Sequence, residues 1–398
     1  MNSAQHTEKL SEIADLNPSL AESLSSDEPV SFVPMSAVTA ETASTSHGEN
    51  RCYGEVSKGY TPFRDGDLLV AKITPCFENG KIAQATLTHR FGFGSTEFHV
   101  IRPKPGKADA RYLLHFLRQD RIRRDGERKM TGSAGQRRVP GHFLAGLSVP
   151  LPPLPEQRRI AEILDKADAL RAKRRAALAQ LDTLTQSIFL DMFGDPATNP
   201  KGWPVVSLKE STARIQIGPF GSLLHQEDYV EGGIPLVNPK HIQGGSIQPD
   251  ASETVSSRKF AELDAYHLRA GDVVMGRRGE MGRCAIVNEG SGPILCGTGS
   301  LFIRPNTVKT TSLFLLFLLS SVAMKALLER LSLGQTLPNL NSQIVEGLEV
   351  PLPPLARQRE FATRVESVRR LVTAQREAAD GLNVLFASLQ HRAFRGEL

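Results

Sequence analysis

The sequence contains few residues of the kinds that build metal centres, disulfide frameworks or membrane segments. It has four cysteines in 398 residues, and none is two to four residues from another. Zinc sites and disulfide-rich folds need closely spaced or paired cysteines, so neither is predicted. The longest apolar run, residues 313–322, is broken by serine and too short for a bilayer, and no signal pattern opens the chain. We therefore expect a cytoplasmic protein that does not enter a membrane.

Motifs of nucleotide-dependent and DNA-modifying enzymes are also missing. There is no Gly-x-x-x-x-Gly-Lys-Ser/Thr phosphate loop and no Asn/Asp-Pro-Pro-aromatic methyltransferase tetrad. The segment Glu127-Arg128-Lys129 resembles half of a nuclease metal site but has no well-placed Pro-Asp partner. We therefore expect no catalytic residues, no bound metal and no cofactor in this chain.

The charge balance is mildly basic, with a formal net charge of +5 and a pI near 9.0. The excess is concentrated in residues 111–139, where nine Lys and Arg stand against three Asp and Glu, about +6. Such clustering indicates a polyanionic partner, although a solvated helix face would explain part of it. The composition is otherwise that of a globular protein with room for two or three domains.

One stretch occurs twice. Residues Pro150–Leu154 and Pro351–Leu355 both read Pro-Leu-Pro-Pro-Leu, at an offset of 201 positions. Proline fixes φ and removes a backbone donor, so each copy predicts a stiff strap that ends one domain and starts a helix. The first helix, from Pro155 to Phe193, would be roughly 58 Å long.

Each of these helices carries apolar or small residues at heptad spacing. They are Ile160, Leu164, Ala167, Leu178, Leu181, Ile188 and Met192 in the first copy, and Phe361, Val365, Val368, Val372, Ala379, Leu382, Phe386, Leu389 and Ala393 in the second. Arg174 and Gln375 interrupt the two seams at the same place, which predicts that the helices pack on each other. The alternative is that each helix lies on the core of its own domain.

The segments before the straps also share a plan, with short β-like runs followed by an amphipathic helix. The helix is predicted over Ala110–Met130 in the first copy and over Thr311–Leu333 in the second. The sequence thus predicts an α+β protein with domains at 1–150 and 197–350 and long helices within 151–196 and 351–398.

Polar and basic loops in both domains could contact a polyanion, because their amide, hydroxyl and cationic groups pair with phosphates and base edges. The candidate residues are Lys72, Thr74, Asn79, Lys81, Ser133, Gln136, Arg137, Arg138, Asn238, Lys240, Arg277, Arg278, Gln335, Thr336 and Asn339.

Three stretches resemble a known family. They are PLPPLPEQRRIAEIL with the helix ending FLDMFGDP, the loop AKITPCFENGKIA, and GPFGSLLHQEDYVEGGIPLVNPKHI. Together they are similar to the DNA-specificity subunit of type I restriction-modification systems. The resemblance implies two target-recognition domains, each reading half of a bipartite asymmetric DNA sequence. It also implies two long antiparallel coiled-coil spacer helices that join the domains with pseudo-twofold symmetry and set the gap between half-sites.

The resemblance further implies partners. Two methyltransferase subunits would use adenosylmethionine, and two ATP- and Mg-dependent restriction subunits would join the full complex, while this chain does no chemistry. Residues of the repeated stretches are the candidate partner contacts: Gln157, Arg158, Arg159, Gln358 and Arg359. The second copy has Ala356 and Arg357 where the first has Pro155 and Glu156, so partner contact there could differ. The rival hypotheses are a catalytic DNA methyltransferase or nuclease, and a scaffold that binds only protein.

Overall fold

The computed structural model describes residues 6–46, 48–133, 135–332 and 339–398. It forms two compact units. The N unit comprises Met1–Leu178 and Ala374–Leu398, and the C unit comprises Ala179–Thr373. Each unit contains a mixed α/β domain together with one end of a first long helix, Leu154–Phe193, and one end of a second long helix, Leu355–Ala393. The two long helices and the two similar domains predicted from the sequence are therefore present.

The N unit is built on three sheets. A six-stranded sheet has the order Ala14–Leu16, Phe98–Pro103, Leu68–Ala71, Ile82–Gln84, Ser44–Thr45 and Val38–Thr39. A four-stranded sheet has the order Glu49–Cys52, Pro29–Val33, Phe91–Gly94 and Thr61–Arg64, and Thr7–Lys9 pairs with Ser148–Pro150. Each of the two larger sheets contains one parallel pair, and the remaining pairs are antiparallel.

The C unit repeats this plan. Its central sheet has the order Thr212–Ile217, Ser300–Pro305, Val273–Gly276 and Cys284–Ile286, and a second sheet has the order Tyr229–Val230, Thr254–Val255, Ile234–Val237 and Leu295–Cys296. Two further pairs join Ile242–Gln243 to Ser246–Ile247 and Val205–Ser207 to Glu349–Pro351. The second sheet contains one parallel pair, as its counterpart in the N unit does.

An ion pair with a buried carboxylate occupies the same place in the six-stranded sheet of the N unit and in the central sheet of the C unit. In the N unit, Arg102 donates from Nε and Nη2 to Asp67 at 2.9 and 2.7 Å. In the C unit, Arg304 donates to Asp272 at 2.8 and 2.7 Å. Each carboxylate also accepts from a backbone N–H three residues before it. The shared pair shows that the repeat extends from the straps into the domain cores.

The remaining α-helices are short. In the N unit they are Leu10–Ile13, Tyr53–Val56, Ala110–Leu117, Asp120–Lys129 and Gly141–Ala145. In the C unit they are Leu208–Ser211, Ser257–Glu262, Ser312–Ser320, Val322–Ser332 and Ser342–Glu346, with 3-10 turns at Gly221–Leu223, Gln226–Asp228, Pro239–His241 and Asp264–Tyr266; Met35–Ala37 is a 3-10 turn of the N unit.

The prediction of one unbroken helix before each strap was wrong. Gln119 has extended backbone angles and separates the two helices of the N unit. In the C unit Ser321 is extended, and its hydroxyl accepts from Met324 N at 3.2 Å, so it starts a second helix. A serine hydroxyl satisfies a free N–H at a helix start better than it serves a helix interior, which accounts for this break.

Both long helices complete the hydrophobic cores of the units. The N core contains Ile160 and Leu164 from the first long helix and Phe386 and Ala393 from the second. The C core contains Phe189 and Met192 from the first and Phe361 and Val365 from the second. The predicted seams are thus buried towards the helix ends and half-buried towards the middle. Both alternatives raised by the sequence are therefore realised, because the long helices pack on the domain cores and also contact each other.

Within the N unit the two long helices run antiparallel and contact each other through polar groups. Arg171 Nε donates to Asn383 Oδ1 at 2.8 Å, and the Arg171 guanidinium lies 4.4 Å from the centre of the Phe386 ring. Arg174 donates to the side chain of Gln375, the residue that interrupts the partner seam. The matched polar positions predicted from the sequence therefore meet.

The two strap glutamines are interior residues, which corrects their assignment as partner contacts. Gln157 is 1% exposed and Gln358 is 0% exposed. Gln157 accepts from Asp109 N and donates to the carbonyls of Lys107 and Pro152, at 2.8–3.1 Å. Gln358 makes the same three bonds to Thr311 N and to the carbonyls of Lys309 and Pro353. Each glutamine joins a strap to the loop before the domain's amphipathic helix, and neither is available to another protein.

No single helix in the described part of the chain is both long and apolar enough to cross a membrane. Ser312–Ser320 and Val322–Ser332 together have the required length and composition, but they meet at a 68° bend. Phe314, Leu315 and Leu318 of the first of these helices are buried in the C core.

We predict that Gln157→Ala lowers the free energy of unfolding by about 2–4 kcal/mol, because it removes the three hydrogen bonds that the buried Gln157 amide makes to backbone groups. Gln180→Ala is the matched control, since Gln180 is an exposed residue of the same helix. Urea unfolding followed by circular dichroism measures both variants. Equal stability of the two would show that the strap glutamine is not structurally required.

Candidate nucleic-acid interface

Two loops predicted to bind a polyanion meet in the N unit. The first, residues 72–81, joins the strands Leu68–Ala71 and Ile82–Gln84, and the second consists of the described residues 131–133 and 135–139. Thr74 N donates to Arg137 O at 2.9 Å, and Val139 N donates to Lys72 O at 2.8 Å. The structure thus brings together segments that are about 60 positions apart in sequence. We call these two loops the N face.

The strand Phe98–Pro103 anchors the N face. Lys72 N donates to Glu97 O at 2.8 Å, and His99 Nε2 is 2.9 Å from Val139 O. A carbonyl can only accept, so His99 carries its proton on Nε2, which leaves Nδ1 to accept from the Asn17 side chain at 3.3 Å. Burial lowers the pKa of His99, so the imidazole is neutral and acts as a structural link.

The two arginines of the second loop differ in what they can bind. Arg138 donates from Nε and Nη2 to Glu97 at 2.9 and 2.8 Å, and this pair holds the pKa of Glu97 below its usual value. Arg137 is exposed, and its nearest carboxylate oxygen, on Glu78, is 3.9 Å away. Arg138 therefore positions the loop, while Arg137 presents its guanidinium to solvent.

The other predicted residues of the N face also fall into two groups, those bonded to other parts of the protein and those exposed to solvent. Lys81 Nζ donates to Met35 O at 2.9 Å, and the Thr74 hydroxyl donates to Glu78 at 2.6 Å. Lys72 is half-buried, whereas Asn79, Ser133 and Gln136 are exposed. The exposed groups are amides, a hydroxyl and a guanidinium, which suit hydrogen bonding to phosphates and base edges.

The helix Asp120–Lys129 lies beside the N face. It belongs to the basic stretch 111–139, but none of its residues was predicted to be a site residue. The helix packs closely on the first loop at Gly126, where an added Cβ would lie 2.5 Å from the Phe77 ring. Four exposed cations lie on this helix: Arg121, Arg124, Arg128 and Lys129. Against them stand the acids Asp120, Asp125 and Glu127 of the same helix, so its excess positive charge is small.

The C unit builds a matching face from equivalent backbone bonds. Arg277 N donates to Gly299 O and Leu340 N donates to Arg277 O, both at 3.0 Å. These are the counterparts of the bonds from Lys72 N to Glu97 O and from Val139 N to Lys72 O. We call residues 238–240, 276–279, 297–300 and 339–340 the C face. The predicted residues Gln335 and Thr336 lie outside the described residues.

Arg277 was predicted to contact DNA, but the structure places it in the interior of the C unit. It is 3% exposed; its Nε donates to Thr298 O at 2.9 Å and its Nη1 to Asn339 Oδ1 at 2.8 Å. Burial lowers the pKa of Arg277 from its usual value. Arg277 therefore fastens the segments of the C face together, occupying the Asn339 oxygen as it does so. Arg278 beside it is exposed.

Asn238 and Lys240 are held by an acid that the sequence analysis missed. Glu253 is 2.5 Å from Lys240 Nζ and accepts from Asn238 Nδ2 at 3.2 Å. Burial alone would raise the pKa of Glu253, but these two bonds outweigh it and the pKa is lowered. Asn238 Oδ1 in turn accepts from Gly299 N at 3.2 Å, which ties the group to the C face. No local pattern links Glu253 to residues thirteen to fifteen positions earlier.

The three arginines predicted as partner contacts are exposed on the first turns of the long helices. Arg158 has 66% of its side chain exposed and is 3.9 Å from Asp109. Arg159 pairs with Glu156 at 2.7 Å and donates to Leu398 O at 2.8 Å. Arg359 is also exposed. All three are accessible to another protein.

Among the described residues, no group of three or more His, Cys, Asp or Glu side chains is arranged to hold a metal ion. The chemistry that both faces offer is hydrogen-bond donation and positive charge.

Comparison with known proteins gives a family. The model described as the type I restriction modification DNA specificity domain matches the chain twice, over residues 9–180 and 200–379. The EcoEI specificity subunit of a type I restriction enzyme from Escherichia coli is 42% identical over 260 residues, which are 64% of this chain and 42% of that protein. The EcoAI specificity subunit from the same organism is 32% identical over 273 residues, 66% of this chain and 45% of that protein. The chain thus spans less than half the length of these two relatives.

Solved structures show the same fold. A chain from a study of complex assembly and conformational transition of the type I R-M system superposes with a TM-score of 0.65 at 21% identity, covering 99% of this chain and 98% of that chain. The HsdS subunit from Thermoanaerobacter tengcongensis superposes with a TM-score of 0.50 at 22% identity, covering 99% and 97%. Because the family model matches most of the sequence in two copies, the chain belongs to the type I restriction modification DNA specificity domain family.

Proposed function

We propose that this chain is the DNA sequence-recognition subunit of a type I restriction-modification complex, and that each domain reads one half of a bipartite, asymmetric site. The observation that carries the proposal is the pair of matching faces. The same backbone bonds hold Lys72 in one domain and Arg277 in the other, but the exposed side chains around them differ. Two readers with a common frame and different contact groups suit two different half-sites.

The long helices are proposed to set the gap between the half-sites and to dock the partner subunits. Arg158, Arg159 and Arg359 supply exposed cations at the helix starts for that contact. In this proposal two methyltransferase subunits carry out adenine methylation with adenosylmethionine, and two restriction subunits use ATP and Mg. The chain itself has no catalytic role, and flipping of the target adenine belongs to the methyltransferase.

The proposal is tested by co-expressing the chain with its cognate methyltransferase in a host without adenine methylation and mapping N6-methyladenine across the genome. A single gapped, asymmetric motif is the expected result, and it supplies both half-sites. Methylation of a continuous motif, or of the same motif without this chain, would contradict the proposal. Methyl transfer by the purified chain alone would favour the rival assignment as a catalytic methyltransferase.

We predict that Arg137→Ala weakens binding at the half-site read by the N face by about 1–3 kcal/mol if the guanidinium contacts a base. If it contacts a phosphate, the slope of log affinity against log salt should instead fall by about one unit. Arg90→Ala is the control, because Arg90 is an exposed arginine of the N unit that pairs with Glu22 at 2.7 Å. Fluorescence anisotropy over a salt series measures both variants. Wild-type affinity and slope in Arg137→Ala would remove this residue from the DNA surface.

We also predict that one heptad added to each long helix lengthens the gap and leaves both half-sites unchanged. The insertions are placed after Leu178 and after Thr373, where the seams are half-buried. Seven residues add about 10.5 Å of helix, or about three base pairs of B-DNA at 3.4 Å each. Methylation mapping reads the new gap, and a variant with seven substituted residues at each place controls for sequence change. An unaltered gap would show that the helices do not measure it.

A further inference from the structure

An exposed aromatic ring stands at the start of the C domain. Residues 218–224, Gly-Pro-Phe-Gly-Ser-Leu-Leu, form what we call the apolar loop. Phe220 is 52% exposed and Leu223 is 41% exposed. A single exposed apolar side chain needs no explanation. Phe220 is of interest because it lies close to the C face.

The apolar loop starts inside the C face. Gly218 N donates to Ser300 O at 2.9 Å, and a Cβ added to Gly218 would lie 1.9 Å from Gly297 O. Only glycine allows this close approach of the two backbones. Ser300 ends the turn whose Gly299 binds both Asn238 and Arg277. Two residues of chain span at most about 7 Å, so the Phe220 backbone lies within that distance of Gly218, which contacts the C face.

The backbone of the apolar loop projects the ring away from the domain. Phe220 is extended, with φ of −147°, and Gly221 follows with φ of +63°. Leu223 N is 3.4 Å from Phe220 O, which closes a turn immediately after the ring. The space beside Gly221 is open, because an added Cβ would meet no atom within 4 Å. The ring is thus carried at the tip of a short turn.

The charge of the loop suits a polyanion. The segment 218–224 contains no acidic residue. Arg278 is exposed on the C face and adds a positive charge there, whereas Lys240 is paired with Glu253. Nucleic acid combines negative phosphates with flat bases, so an exposed ring next to a face that carries an exposed arginine suits it on both counts.

The N unit lacks this feature at the equivalent position. Arg102 matches Arg304, so Ile101 matches Ile303, and its strand partner Leu16 matches Ile215. Counting on from Leu16, Ala21 takes the position of Phe220. The Asn17 side chain is used to orient His99, and Leu20, a few residues on, packs against a core cluster. The two faces therefore differ in kind: the N face offers polar donors and cations, and the C face adds an exposed ring.

We propose that Phe220 inserts its ring into the base stack of the half-site bound by the C unit, and this rests on the proposed function. Apolar side chains that wedge between base steps unstack them and bend the duplex, and aromatic rings stack on bases regardless of their identity. Local unstacking also reduces the work of extracting a neighbouring base, which helps a partner enzyme that must flip its target adenine. Phe220 is a positioning residue in this scheme, since it acts on DNA and does no chemistry.

The test uses the complex of the full chain with its methyltransferase and duplexes that carry the mapped motif, with 2-aminopurine placed at successive positions. Unstacked 2-aminopurine becomes brighter. Wild type should raise its fluorescence at one step of one half-site, and Phe220→Ala should abolish that rise and weaken affinity about 5- to 100-fold. Phe220→Trp keeps a ring and should restore both. Its indole emission should be quenched on DNA, and the wild-type complex is the blank for Trp203, the one native tryptophan of this chain, and for those of the methyltransferase.

Val308→Ala is the control, because Val308 is 76% exposed in the same unit and lies outside the apolar loop and the C face. It should leave affinity and fluorescence unchanged. Wild-type affinity and fluorescence in Phe220→Ala would overturn the proposal. So would weaker assembly with the methyltransferase at unchanged DNA affinity, since the ring would then contact protein. A wild-type complex with no preference for the gapped motif would instead contradict the proposed function itself.

Discussion

The structure depends on the packing of aromatic side chains from the long helices into the two domain cores. Phe394, just after the second long helix, lies 5.1 Å from Tyr112 and 5.4 Å from Phe116 between ring centres. Phe193, at the end of the first, lies 5.1 Å from Phe314 and 5.4 Å from Phe361. Aromatic pairs contribute stabilisation beyond their buried area. These pairs join the amphipathic helix of the N unit to the second long helix, and that of the C unit to both long helices. Neither domain has a complete core without residues from distant parts of the chain.

On each of these cores, backbone hydrogen bonds hold the loops of the face in place whatever the exposed side chains are. Backbone hydrogen bonds hold the strand-connecting loop against the segment before the strap, around Lys72 in one domain and Arg277 in the other. Because backbone bonds do not require particular side chains, the exposed positions are released to vary. The N face carries Arg137 and a basic helix, whereas the C face carries Asn238, Lys240 and a nearby aromatic ring. A common frame with different contact groups is the physical basis of our proposal that the two domains read unlike sequences.

Several residues that looked functional in the sequence proved to be structural. Gln157 and Gln358 are identical at matched positions because both copies must satisfy the same three backbone groups, and Arg277 is a buried clamp rather than a surface cation. Arg138 is committed to Glu97, whereas its neighbour Arg137 is exposed. The polar side chains near these loops are therefore of two kinds. Some hold the loop together, and others are exposed to solvent and can bind a partner. Only their hydrogen-bond partners in the structure distinguish the two kinds.

The sequence by itself determined the two long helices, their facing seams with Arg174 opposite Gln375, and the duplication of the domain. These features follow from proline and heptad spacing, which can be read within a short stretch of sequence, and from repetition, which is seen by comparing one stretch with another. The tertiary structure alone decided that residues 72–81 meet 131–139, that Glu97 and Glu253 hold cations in place, and that the amphipathic helices break at Gln119 and Ser321. Those features depend on contacts between residues far apart in the chain and on how cavities are filled, for which local sequence has no period or spacing to read.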